Sequence, residues 1–353
     1  MQHWLARRAA GEPLLDRSCA PKQQAAQTAA SIEAAIVELR RSLALEGDLG
    51  FIGAEAIAQA LATRLPAAEV PSIRTIGRVL LRLGLLDKNR RVRRAPPPTG
   101  WHLPAVAART AEVDAFDCIE DLPIEGLGLC HVLTAKSLLG PLVGAWVETK
   151  ITAQFVIECL TLHWQQQGLP TFAQFDNDTR FQGPHNRPNV IGEVIRFCLR
   201  LGVTPVFAPP RETGFQADIE GFNALWQQKV WRRFHHASMA TLQAHSDKFC
   251  RAYSALRAGR AEHAITRRRW PRKPPSKSIT SGTLIFIRRT SETGSVRILE
   301  QTYQVDAQWP HRLLRCVLNI TTRTLHFYRL RRREPTKQLL AKKLRLKGHM
   351  RLK

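Results

Sequence analysis

Apolar positions recur every three or four residues through the N-terminal part of the chain. In SIEAAIVELRRSL, Ile32, Ala35, Ile36, Leu39 and Leu43 fall on one helical face, and GAEAIAQALATRL repeats the pattern with Ile57 and Leu61. PSIRTIGRVLLRLGLL opens on the start signal Pro71-Ser72 and predicts an apolar face of Ile73, Ile76, Leu80 and Leu83. On its other side Arg74, Arg78 and Arg82 form a row at i, i+4, i+8. Three short helices ending in an arginine row predict a helix-turn-helix module over 1–88 whose third helix enters a DNA major groove. The same row also suits the solvated face of a small bundle. The stretch NRRVRRAPPPTG then has no periodicity, and 89–104 reads as a basic, proline-rich linker that tracks phosphates.

The period changes in the middle of the chain. AEVDAFDCI and LCHVLTA read as adjacent strands joined by a hairpin at Glu125-Gly126, and LVGAWV as a third strand. ITAQFVIECLTLHW is helical, with Val156, Cys159, Leu160 and His163 on one face. TFAQFD is a strand, PNVIGEVIRFCLRLG a helix and VTPVFA a further strand. After the loop PPRETGFQAD comes a helix lined on one side by Ile219, Phe222, Trp226 and Val230. This order predicts an α/β layer with a mixed sheet over 105–235. A helical extension and a second basic linker follow over 236–278. Alternating strand segments from TLIFIRRT onward predict a small β-barrel over 279–330, and 331–353 is a basic tail.

Charge sharpens this division. The 353 residues hold 53 Lys and Arg against 29 Asp and Glu, a net +24, which predicts a polyanionic partner. Yet between Thr110 and Phe222 there are 14 acidic against 7 basic side chains. Basic arms that hold nucleic acid around an acidic centre that holds cations would account for this. No apolar run is long enough for a membrane span, and MQHWLARRAA lacks an apolar signal core. Seven scattered cysteines without a CxxC pair suit a reducing compartment. A soluble, cytoplasmic, nucleoid-associated protein is the expectation, with no membrane partner.

Candidate chemistry lies at strand ends, where α/β sheets collect it. Asp114 and Asp117 stand three apart on the first strand and so face opposite sides, which lets only one of them share a site. Asp176 and Asp178 follow a later strand, and Glu212, Asp218 and Glu220 surround the last helix of the block. One strand Asp, one strand-end Asp and one helix Glu would suit magnesium-type cations, which keep waters and substrate phosphate as their other ligands. Taken singly, each of these carboxylates is better suited to a turn cap or an exposed helix position.

Two segments carry a family resemblance. QFDNDTRF resembles the DNG-x-x-F signature of the retroviral-type integrase and bacterial insertion-sequence transposase family. GVTPVFAPPRETGFQADIEGFN resembles that family's closing strand, proline-bearing loop and Glu-bearing helix. The resemblance covers about 110–235 and implies an RNase H-like core with an Asp-Asp-Glu triad binding two Mg²⁺ (or Mn²⁺) ions. Asp176 matches the second Asp and Glu220 the Glu. For the first, Asp117 fits the distance to the Glu125-Gly126 turn better, and Asp114 is the alternative. The chain departs from the pattern in three places. Asp178 stands where the family has Gly, the 44 residues from Asp176 to Glu220 exceed the usual interval, and no His-His-Cys-Cys motif is present.

What the resemblance implies is a DNA transposase or integrase performing 3′-end processing and strand transfer of a bacterial mobile element. Its partners would be double-stranded DNA at element ends and target and further copies of the chain on DNA; the sequence leaves open whether an ATP-dependent helper protein takes part. Arg211, Thr213 and Gln216, on the loop before Glu220, are the candidate DNA-positioning side chains there. The competing readings are an inactive or domesticated DNA-binding regulator of the same fold, and a nuclease that cleaves without joining.

Overall fold

A computed structural model of the chain describes residues 2–11, 28–86, 99–124, 126, 128–186, 188–212, 214–259, 265–272, 279 and 281–346. Most of the first linker, Glu125, Thr213 and the end of the basic tail lie outside the described residues. The chain forms two compact units: Met1–Gly47 with Phe51–Lys88, and Asp48–Gly50 with Asn89–Lys353. Among the described residues, no helix is long and apolar enough to cross a membrane.

The first unit is helical: α1 (Gln2–Ala9), α2 (Ala30–Glu46), α3 (Ala54–Ala62) and α4 (Ile73–Arg82). Its core joins Ile36 and Leu39 to Ile57 and Leu61 and to Ile76, Val79 and Leu80. Ser72 caps α4, its hydroxyl accepting the Thr75 N–H at 3.2 Å. The predicted face of α4 needs correction. Ile73 and Leu83 are exposed and Val79 is buried instead, because Ile73 and Leu83 sit at the two ends of a ten-residue helix whose middle turn meets the core. Arg74, Arg78 and Arg82 are exposed, and Arg82 is ion-paired with Glu33.

The second unit is organised by one nine-stranded sheet. In chain order it runs α5 (Pro104–Ala107), β1 (Val113–Ile124), β2 (Gly128–Ser137), β3 (Val143–Glu148), α6 (Ala153–Gln167), β4 (Phe172–Phe175), α7 (Thr179–Gln182), α8 (Glu193–Arg200), β5 (Thr204–Phe207) and α9 (Ala217–Trp226). A π-helical turn, Gln227–Trp231, and α10 (Met239–Leu256) follow. Then come β6 (Thr283–Arg289), β7 (Ser295–Ile298), β8 (Gln301–Gln304), β9 (Leu313–Asn319), β10 (Thr324–Arg329) and β11 (Leu339–Arg345). β1, β2 and β3 form an antiparallel meander, while β4 and β5 run parallel to β1 on its other side. Parallel pairs require crossover connections, which the helices between β3, β4 and β5 supply.

Packing explains why these segments hold. Thr152 caps α6, which buries Val156, Cys159, Leu160, His163 and Trp164 against the sheet. Phe116 of β1 stacks on Phe175 of β4 with centroids 5.4 Å apart. α10 is fastened to β3 by Gln243, which accepts the Val147 N–H at 2.8 Å and donates to the Ala145 carbonyl at 2.9 Å.

Three boundaries differ from expectation. The linker ends before 104, since Trp101, His102 and Leu103 are buried in the unit. The basic segment after α10 is likewise tied down at 265–272, where Leu169 and Arg268 form a β-bridge. Above all, the expected barrel is an extension of the core sheet. β6 pairs parallel with β5 through Val206–Ile285 and Phe207–Phe286, and β9, β10 and β11 add antiparallel beyond it. β11 lies within the stretch expected to be tail. The reason is legible in β6 itself. Leu284 and Phe286 enter one core and Ile285 and Ile287 the other, so both faces are covered. A continuous apolar run of that kind suits an internal parallel strand, whereas a barrel strand would alternate.

Candidate active site

β1 presents its two aspartates to opposite faces, and the two surroundings differ completely. Asp114 is fully buried. It accepts the Trp164 indole N–H at 3.0 Å and both Arg267 guanidinium nitrogens, Nη1 at 2.9 Å and Nη2 at 2.5 Å. His163 Nε2 stands 3.8 Å away. Burial pushes the Asp114 carboxyl up, but Arg267, with His163 and Trp164, outweighs it and holds the group below the usual carboxylate range. Asp114 is thus the anion of a closed structural pair.

Asp117 is held open instead. One oxygen accepts the Cys118 N–H at 2.9 Å and the other accepts Asn223 Nδ2 at 2.8 Å. Asn223 is itself oriented by Thr134 of β2, whose hydroxyl donates to its Oδ1 at 2.7 Å. Because Asn223 lies three residues after Glu220 on α9, this clip lays the Glu220-bearing turn against β1. Ile219, Phe222 and Trp226 bury the other side of the helix, which leaves Glu220 exposed. Lys136 of β2 pairs with Asp218 and also donates to its carbonyl at 3.2 Å, which fixes the start of the same helix.

Asp176 follows β4 directly. One carboxylate oxygen accepts the Asp178 N–H at 2.9 Å. Asp178 caps α7 by accepting the Arg180 N–H at 2.7 Å and pairs with the Arg180 guanidinium at 2.8 Å. Arg180 also reaches Glu120 at 2.8 Å. The Asp178 carboxylate is therefore a helix cap already matched with a cation, and Arg180 holds it below its ordinary range.

Burial and neighbouring carboxylates raise both Asp117 and Asp176. Burial raises Asp117 to about 6, and the charges of Asp176, Glu220 and Glu120 add to the rise against the Cys118 N–H. Asp176 is raised by burial and by Asp178 and Glu120, against the Asp178 N–H and Arg180. The donor set of hard carboxylate oxygens suits a magnesium-type cation, which would relieve this repulsion. Among the described residues, no three His, Cys, Asp or Glu side chains form a ready-made metal cage. Such cations, which retain waters and substrate phosphate, do not require one.

The loop residues separate. Arg211 is exposed, with φ of 58°, and lines a groove beside Asn177. Gln216 lines a different cavity of about 300 Å³ with Trp101, His102 and Phe215. Thr213 lies outside the described residues. Sequence reasoning assigned no role to Thr134, Lys136 or Arg180. For Asn223 a signal existed, since an amide at i+3 from Glu220 interrupts an otherwise apolar face.

No protein-family model matches the chain, and no curated protein does. Among the solved structures similar to it are two of integrase type. The catalytic core domain of BIV integrase is 18% identical, covering 38% of this chain and 79% of that one at a TM-score of 0.27. A simian T-cell lymphotropic virus intasome in complex with PP2A regulatory subunit B56 gamma is 14% identical, covering 73% and 88% at 0.37. At such identities and scores neither neighbour bears on the chemistry, which rests on the side-chain geometry.

Proposed function

We propose that the chain is a DNA strand-transfer enzyme of the transposase and integrase type. The observation that carries this reading is the division of labour on β1: Asn223 of the Glu220-bearing helix donates to Asp117 on one face, while Asp114 is consumed by Arg267 on the other. The motif resemblance of QFDNDTRF and of the Glu220 helix supports it, as does a net charge of +24 around an acidic centre. Double-stranded DNA is the substrate, and the chain works as an oligomer on it. Arg74 and Arg78 supply groove contacts, with Arg82 beside them.

Asp117, Asp176 and Glu220 would hold two Mg²⁺ or Mn²⁺ ions. Bound there, the ions supply polarisation of the scissile phosphate and a lowered pKa for the attacking water or DNA 3′-hydroxyl. The chain's own work is orientation. Asn223, locked by Thr134, aims the Asp117 carboxylate, and the Asp178 N–H aims that of Asp176. Arg180 pairs with both Glu120 and Asp178, which engages these two neighbouring carboxylates away from the proposed ligands.

The test is nicking and joining of DNA that carries the element's terminal repeats, with Mg²⁺ or Mn²⁺. Asp176→Asn and Glu220→Gln should each abolish strand transfer while DNA binding persists. A wild-type protein that binds such DNA yet neither nicks nor joins it would instead be the regulator of the alternative reading. Nicking without joining would make it a nuclease.

A further inference from the structure

A groove of about 690 Å³ lies between the end of β4 and the strands that extend the sheet. Asn177, the residue after Asp176, forms part of its wall. Arg211 from the loop before α9, Arg288 and Arg289 from β6, Arg297 from β7 and His185 complete a basic lining, in which Glu300 is the only acid among the described residues. Arg289 is paired with Glu212 and Arg297 with Glu300. Among the described residues, neither Arg211 nor Arg288 has an ion-pair partner.

Arg288 is the unusual member. Its side chain is buried, with the residue 7% exposed. Nε donates to the Arg297 carbonyl at 3.2 Å, Nη1 to the carbonyls of Ile287 at 2.8 Å and Ala208 at 3.3 Å, and Nη2 to Asn177 Oδ1 at 2.7 Å. Every acceptor is neutral, and one Nη2 hydrogen is left over. A buried guanidinium without a counter-charge is costly. Its burial also lowers the group to about 10. Asn177 closes the network by donating to the Ala208 carbonyl at 2.6 Å, so the Asp176 strand end, the end of β5 and β6 share one knot of hydrogen bonds.

We propose that this groove seats the phosphodiester backbone of the DNA strand running past Asp176, with Arg211 and Arg297 gripping phosphates and Arg288 supplying the buried charge that an anion neutralises. The identity of the polyanion rests on the strand-transfer reading. The chemistry of the groove, a multidentate phosphate seat, rests on its own residues. Arg288 in addition positions Asn177, and through it the backbone that follows Asp176.

The test uses the full chain and a fluorescein-labelled duplex with a single-stranded 3′ overhang, in EDTA so that no chemistry occurs. Anisotropy is read across a salt series for wild type and for the double variant Arg211→Gln, Arg297→Gln. Both side chains are exposed, so folding is spared. The variant should bind on the order of tenfold more weakly, with a log–log salt slope shallower by about 1.4, for two single-strand phosphate contacts at roughly 0.7 each. Methylphosphonates at the overhang phosphates should weaken wild-type binding and leave the variant's unchanged. An unaltered slope together with wild-type methylphosphonate sensitivity would overturn the proposal. Inorganic phosphate at matched ionic strength should compete for the same seat and narrow the difference between the two proteins. The two readings fail separately. Groove-dependent binding by a wild type that never nicks with Mg²⁺ removes only strand transfer. Normal nicking by a variant that binds like wild type removes only the groove.

Discussion

Replacing Asp114 and Asp117 singly by Asn should have opposite effects on stability, although the two stand three residues apart on one strand. Asp114→Asn keeps the shape but removes the anion that Arg267 faces through two hydrogen bonds. Breaking one side of a buried pair costs about 3–5 kcal/mol, since the remaining charge stays buried without compensation. That is a large share of a typical total of about 5–15 kcal/mol. Asp117 is the reverse case. Its carboxyl is raised from 3.8 to about 6, so keeping it ionised at neutral pH works against folding by up to about 3 kcal/mol. Asn removes that charge at the cost of one imperfect hydrogen bond, about 1 kcal/mol. Asp117→Asn should therefore unfold at the wild-type denaturant midpoint or above it, and Asp114→Asn well below. The assay is urea unfolding in EDTA at neutral pH followed by tryptophan fluorescence, to which Trp164, bonded to Asp114, contributes a local reporter. The reasoning is refuted if Asp117→Asn destabilises as much as Asp114→Asn, or if Asp114→Asn unfolds like wild type. On the proposed function only Asp117→Asn is also lost to strand transfer for chemical reasons.

Other outcomes follow from the same geometry. Asn223→Ala removes the group that aims Asp117, and should lower strand transfer about 10–100-fold, as loss of a ligand-orienting partner does; DNA affinity read in EDTA should stay at the wild-type level. Phe286 of β6 stacks on Phe207 of β5 at 5.2 Å, so Phe286→Ala should cost about 3–5 kcal/mol and shift the unfolding of the whole sheet. A change confined to the C-terminal strands, read by hydrogen exchange, would speak for a separate barrel. Burial lowers His102 and His163 from 6.5 to about 4 in the fold. Because the unfolded chain binds those protons first, their contribution is present above about 6.5 and lost as pH falls towards about 4. Asp117 titrates in the opposite sense over the same window, so the reading is a difference. Thermal scanning should show wild type losing midpoint relative to a His102→Gln, His163→Gln variant with a slope of up to two protons as pH falls, and parallel profiles would contradict the burial of both rings.

Patterning made the N-terminal helices and the β1–β5 order legible, because amphipathic periods and turn residues are local signals. The opposite facing of Asp114 and Asp117 was legible for the same reason, since strand alternation settles it. Alternation alone did not show that Asp114 is occupied, because its partner Arg267 lies more than 150 residues away in a segment that read as linker. Asp178 was ambiguous until Arg180 and the cap of α7 gave it partners. In β6, the run Leu284–Ile287 did contain the signal of a strand covered on both faces. The alternating strands after it masked that signal and suggested a barrel. Ile73 and Leu83 show a further limit, since periodicity marks a face without saying how far along a helix its neighbours reach.

The junction between β5 and β6 also fixes an order of events in building the molecule. β5 ends at Phe207 and its neighbour begins at Thr283, so the chain must emerge through α9 and α10 before that edge can be covered. Until then β5 presents unpaired backbone, the kind of edge on which strands of other molecules dock. Closing so distant a contact is slow relative to the local β1–β2 hairpin. A product stopped short of Thr283 would contain every proposed catalytic carboxylate and still be the form most prone to aggregate.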